Sequence, residues 1–198
     1  MKGKTHIVIG AAAGVTIALN TEIDNGLLVL LGSTVGSLVP DIDHPKSKIN
    51  QKLLRIKNKS FKIMFYCFLG IILLFLYTEY NEKVFLLSGI TLILTGVSRH
   101  RGFTHSILGA LLYINIVKSI GDSYGYEDIY IGFVGGYLSH LISDFFTKGG
   151  IEIFYPFSEN FSFPISIKTG GVMENFIVFM AGMYSIYIVL KYIGFINC

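Results

Sequence analysis

The chain reads as a series of apolar runs separated by short polar or turn-forming stretches. Seven runs stand at about residues 5–20, 26–39, 61–78, 84–98, 103–118, 129–146 and 173–194, and their length favours helices over strands. The third and seventh approach the roughly 20 residues that a straight membrane span needs. The others are shorter, and reach across a bilayer only with help from their flanks or insert in part. Glycines recur within the runs at Gly10, Gly14, Gly32, Gly36, Gly132, Gly135 and Gly136. Such residues weaken a helix in water but let helices approach closely in lipid. No repeat, low-complexity tract or charge-rich linker divides the pattern. It predicts an all-α fold, a polytopic helical membrane bundle of five to seven helices, formed as one membrane-embedded domain over residues 1–198.

Composition agrees with a lipid solvent. Hydrophobic residues make up 52% of the chain and charged residues 15%, with a mean hydropathy of +0.60, whereas soluble domains are about a quarter charged. The net charge of +3 is too small for a nucleic-acid surface, so membrane lipid is the expected partner and nucleic acid is not. Seven of the sixteen Lys and Arg residues fall between Lys46 and Lys62, a segment without any acid. Because cytoplasmic loops carry excess basic residues, this segment is placed in the cytoplasm. Alternate threading then puts residues 21–25, 79–83 and 119–128 outside, with Glu22, Asp24, Glu79, Glu82, Asp122, Glu127, Asp128 and a single base, Lys83. The N-terminus becomes cytoplasmic and Cys198 lies on the far side. Lys2 and Lys4 ahead of Ala11, Ala12 and Ala13 imitate a secretory signal, but another apolar run follows almost at once, and the segment is read as a retained helix. Cys67 and Cys198 form no disulfide framework and no paired metal motif.

The same threading brings every histidine to the cytoplasmic side. The turn Val39-Pro40-Asp41-Ile42-Asp43-His44-Pro45 packs two carboxylates and an imidazole between prolines, and aims Asp41 and Asp43 toward one side if it ligates a divalent ion. The alternative is a solvated turn that ends a helix. His140 and Asp144, four residues apart, share one helical face and can reach one ion; the competing reading pairs Asp144 with Lys148. Arg99-His100-Arg101-Gly102-Phe103-Thr104-His105 offers His105 as a ligand and Arg101 as a fork for phosphate, although Arg99 and Arg101 also suit lipid headgroups. His6 gains meaning from sharing the face. Lys148-Gly149-Gly150 is a basic turn able to approach an anion. Neither a serine-hydrolase elbow nor a phosphate-binding P-loop motif occurs.

Thr5-His6, Pro40 to His44, Arg101 to Ser106 and Ser139 to Asp144 together resemble the bacterial inner-membrane, metal-dependent hydrolase family called YdjM-like, some members of which are described as LexA-regulated. The likeness covers about residues 1–157; residues 158–198 agree only as a further hydrophobic segment. It implies a multi-pass protein of the bacterial inner membrane whose metal-site positions are His6, Asp41, Asp43, His44, His105, His140 and Asp144. A looser similarity of ligand style joins it to helical zinc-dependent phospholipases C and nucleases. Mixed His and Asp donors favour Zn²⁺, with Mn²⁺ as the alternative. The expected reaction is hydrolysis of a phosphoester in a phospholipid or another membrane-associated substrate, with the ion activating water. Arg101 and Lys148 offset charge on the phosphoryl group, and Asp41 or Asp43 serves as general base. Two competitors remain: a metal-ion transporter, which would carry ligands near mid-membrane, and a non-catalytic metal-binding scaffold or sensor.

Overall fold

The structure is a computed structural model and describes residues 1–20, 25–45, 47, 50–51 and 58–193. Glu22, Asp24, Cys198 and most of the basic segment from Lys46 lie outside the described residues. Within them the fold is seven helices with no strand: α1 (Gly3–Asn20), α2 (Gly26–Gly36), α3 (Lys59–Tyr80), α4 (Lys83–Val97), α5 (Ile107–Tyr124), α6 (Glu127–Phe145) and α7 (Val172–Tyr192).

Local chemistry sets several of these boundaries. Asn25, Asn58 and Ser106 cap the starts of α2, α3 and α5 by accepting from the main-chain amides of Leu28, Phe61 and Gly109. Asn81 and Gly125 close α3 and α5 in the left-handed conformation. The fifth helix begins at Ile107, after its cap Ser106, and Phe103–His105 forms a separate 3-10 turn before it. One expectation needs correction: the helix continues to Tyr124, so most of the segment read as an outer loop, 119–128, is helical. Its polar residues Asp122 and Ser123 lie on exposed turns that impose no break.

The core pairing is α2 against α6. A Cβ added at Gly32 or Gly36 would strike the carbonyl oxygens of Ile129 or Phe133, and one added at Gly132 or Gly136 would strike those of Val29 or Ser33. Each helix thus carries two glycines four residues apart, and the backbones meet where side chains would keep them apart. The first helix joins through Gly10 and Gly14, which face Ser37 and Ser33, and Ser33 Oγ donates to the Gly10 carbonyl at 2.5 Å. Phe103, Ala110, Tyr113, Phe133, Tyr137, Leu141 and Ile151 form the apolar core beside this seam.

Gly26–Asp43, Lys59–Tyr80 and Val172–Lys191 are long and apolar enough to cross a membrane, with α4 a shorter apolar helix. The third and seventh runs have the length expected of spans; the second reaches that length only together with the turn that follows it. Residues 147–171 join α6 to α7 at one end of the bundle without regular structure except for the isolated bridges Thr147–Ile167 and Ile151–Phe161. This connection exposes Phe154, Phe157 and Ile165. It is tied to the loop before α5 by Glu152 N donating to Arg101 O and Ile107 N donating to Ile153 O, 2.9 and 3.0 Å.

The two ends of the chain meet at Glu174. Its buried carboxylate accepts from Lys2 N at 2.7 Å, from Thr5 Oγ1 at 2.6 Å and from Gly170 N at 2.5 Å, which fixes the start of α1 against the start of α7.

Candidate metal centre

Four separate segments deliver the predicted residues to one end of the bundle. His6 stands in the first turn of α1, Asp41 and Asp43 in the 3-10 turn Val39–Asp43, His100 and His105 in the loop between α4 and α5, and His140 and Asp144 in the last turns of α6. His6, Asp43, His105, His140 and Asp144 are all at most 1% exposed.

The spacing of the donor atoms matches coordination chemistry. Two tetrahedral ligands about 2.1 Å from one ion lie about 3.4 Å from each other. Here His6 Nε2 is 3.4 Å and His105 Nε2 3.6 Å from Asp144 carboxylate oxygens, His140 Nε2 is 3.8 Å from Asp41 Oδ1, and the Nε2 atoms of His105 and His140 are 3.1 Å apart. His6 lies flat on His140, ring centroids 3.7 Å apart. Both ring nitrogens of His6 are buried without a hydrogen-bond partner, a costly state unless a ligand takes one of them.

Hydrogen bonds on the outer side of the imidazoles set their tautomers. His140 Nδ1 donates to the Ser37 carbonyl at 2.7 Å. Thr104 Oγ1 donates to Asp43 Oδ2 at 2.9 Å and is left to accept from His105 Nδ1 at 3.0 Å. His100 Nδ1 donates to Asp43 Oδ1 at 2.8 Å. Nδ1 is thus the engaged nitrogen in each ring, the arrangement by which carboxylates and carbonyls orient metal-binding histidines, and Nε2 of His105 and Nε2 of His140 share a hydrogen bond while His105 is protonated. Burial pulls the His105 pKa down, but hydrogen bonds and charge from Asp144 and Asp43 outweigh it and push the group up to about 9. The surroundings favour a positive charge on or beside that ring.

Asp41 and Asp43 do not point to one side. Residues two apart on a 3-10 helix lie about 240° apart around its axis, so Asp41 approaches Nε2 of His105 at 4.0 Å while Asp43 sits 3.6 Å from Nδ1. Asp43 is filled by His100, Thr104 and the Arg101 main-chain amide at 3.0 Å, an orienting place behind the rings. The turn that carries it is held by Lys62, whose Nζ donates to the carbonyls of Asp43, Ser98 and Thr95 at 2.9, 2.9 and 3.2 Å. Asn50 adds bonds to the carbonyls of Ile42 and His44. Asp43→Asn is therefore expected to weaken metal affinity about 10–100-fold while leaving helicity unchanged. Isothermal titration beside circular dichroism checks this, and equal affinity in the two proteins would remove Asp43 from the centre.

Arg101 adopts φ +68°, a strained region for a residue with a side chain. The twist lets its amide face Asp43 while its guanidinium reaches Asp144 Oδ2 at 3.3 Å and the Gly150 carbonyl at 3.2 Å. The Met1 α-amino group also contacts Asp144. These partners, and not the competing pairing with Lys148, which is exposed, engage Asp144. His44 packs edge-on against the His100 ring, centroids 4.4 Å apart; its place is beside the centre. His100 was not among the expected ligands, although it sits in the same motif as His105. The roles of Lys62 and Ser37 were also missed. A lysine inside an apolar run signals the first, whereas a backbone carbonyl leaves no trace in sequence.

Residues 1–196 match the model of the family described as YdjM inner membrane protein. The chain belongs to this family. The match runs well past residue 157, where the motif resemblance stops, and so takes in the irregular connection and α7. The chain is 31% identical over 179 residues to YvsG of Bacillus subtilis (strain 168), an uncharacterized protein, covering 90% of this chain and 88% of that one. It is 26% identical over 196 residues to the inner membrane protein YdjM of Escherichia coli (strain K12), covering 94% and 82%. No solved structure matches it. With three apolar helices able to cross a bilayer, the protein is, like this YdjM-family relative, a protein of the bacterial inner membrane.

Proposed function

We propose that this YdjM-family protein is a metal-dependent hydrolase that cleaves a phosphoester of a lipid or membrane-associated substrate at the cytoplasmic face. The observation that carries the metal reading is His6, whose two ring nitrogens are buried without a hydrogen-bond partner beside His140 and Asp144. A cation seated among the three takes up one of them. His6, His140 and Asp144 form a group whose donor atoms all lie within 4.8 Å of one another, and this donor set suits Zn²⁺ first and Mn²⁺ second.

A divalent ion supplies Lewis acidity toward a phosphoryl oxygen and lowers the pKa of water. The chain's own residues do the rest. Arg101 is held beside the centre by Asp144 and Gly150 and offers charge to a phosphoryl oxygen. Asp41, one-fifth exposed where Asp144 is buried, is the carboxylate placed to meet the substrate, as a ligand or, where no ion engages it, as general base. The basic segment from Lys46 argues for the cytoplasmic side, and the ligands stand at helix ends and turns, which speaks against a transport path through mid-membrane.

The test is release of phosphate or headgroup from a panel of phospholipids and phosphomonoesters by protein reconstituted in liposomes. Turnover with added Zn²⁺ or Mn²⁺ is expected, with loss on chelation and in Asp41→Asn. Metal-loaded protein that turns over none of them leaves the second reading, a scaffold with a structural ion, which the burial of His6, His140 and Asp144 favours.

A further inference from the structure

We propose that the centre takes two divalent cations, the second held by Asp41, His100 and His105 on the solvent side of the first. This rests on the reading that His6, His140 and Asp144 hold an ion, and goes beyond it. The donor atoms of Asp41, His100 and His105 form their own group, again all within 4.8 Å of one another, and share no residue with the first.

Three features mark this group as a site. Asp43, fully buried, bonds Nδ1 of His100 at 2.8 Å and lies 3.6 Å from Nδ1 of His105. One carboxylate thereby orients two imidazoles from behind, and their Nε2 atoms remain for a ligand bond. The two groups also touch. His140 Nε2 lies 3.8 Å from Asp41 Oδ1, and His105 Nε2 lies 3.6 Å from Asp144 Oδ2, so each group's carboxylate reaches a histidine of the other. Paired ions in hydrolytic sites stand about 3.5–4 Å apart, and two adjoining donor groups of this kind suit such a pair. Finally, the groups differ in access. The inner group is buried, whereas the His100 side chain is 34% exposed and Asp41 21%. The outer ion is the one a substrate meets.

Titration of detergent-purified protein with Zn²⁺, read by elemental analysis per chain, tests the proposal. Wild type saturates at two ions and His100→Ala at one. His100 lies in a loop with a third of its side chain exposed, so folding survives its loss, and Asp41→Asn provides a second, isosteric variant with the same expected count. Loaded with Mn²⁺, wild type gives a spin-coupled resonance and His100→Ala the signal of an isolated ion. A wild type that saturates at one ion, retained in His100→Ala and lost in His140→Ala, overturns the second site and leaves the first standing. A wild type that binds none overturns both.

Discussion

Protein carrying His140→Ala and Asp144→Ala together is expected to purify with one zinc ion per chain fewer than wild type. The double change removes two of three donors from the buried group, and the third, His6, cannot hold an ion alone. Changes behind a ligand already cost 10–100-fold in affinity, so the loss of two ligands exceeds 100-fold and empties the inner position at micromolar metal. Asp144 also neutralises Arg101 at 3.3 Å, and stripping a partner from a buried ion pair costs about 3–5 kcal/mol. Asp144→Asn with His140→Ala therefore accompanies the test, since the amide keeps an acceptor for the guanidinium. Metal content equal to wild type in both double variants would show that the cluster is packing and not a centre.

Gly136→Val is expected to be the most damaging change away from the ligands. The new Cβ falls on the Ser33 carbonyl of α2, which is backbone and cannot rotate aside. Overpacking costs about 1–3 kcal/mol, and a backbone clash belongs at the top of that range. For a chain of this size about 3 kcal/mol corresponds to about 6–12 °C in melting temperature. His140 stands one turn further along α6, so the displaced helix also carries a ligand out of place. Gly182→Val is the control, because a Cβ there meets nothing within 4 Å. Equal melting temperatures for the two would mean that the seam between α2 and α6 is not closed by contact of their backbones.

Much of this architecture could be read from residue order. Apolar runs gave all seven helices because lipid requires continuous hydrophobic stretches, and Gly32, Gly36, Gly132 and Gly136 announced close packing, though not which helices they join. The gathering of His6, His105, His140 and Asp144 followed from charge bias and threading, since a bundle places alternate helix ends together. Asp41 and Asp43 were misread because an extended turn and a 3-10 turn display residues two apart differently, and the prolines that bound the turn fit both. His100 was passed over because an exposed histidine beside arginines resembles a headgroup anchor until Asp43 is seen behind it. The irregular connection from Thr147 to Gly171 has no periodicity, and its ties run to main-chain atoms of the Arg101 loop that any sequence possesses.

Glu174 carries a consequence for how the protein is made. His6 is aligned by Thr5 and Lys2, and these are held by a carboxylate that a ribosome adds some 170 residues later. A nascent chain can insert its first six helices and still leave its earliest histidine without an anchor. The cluster's first histidine is anchored only once α7 has joined α1, so its arrangement belongs to the assembled bundle and not to a partial one.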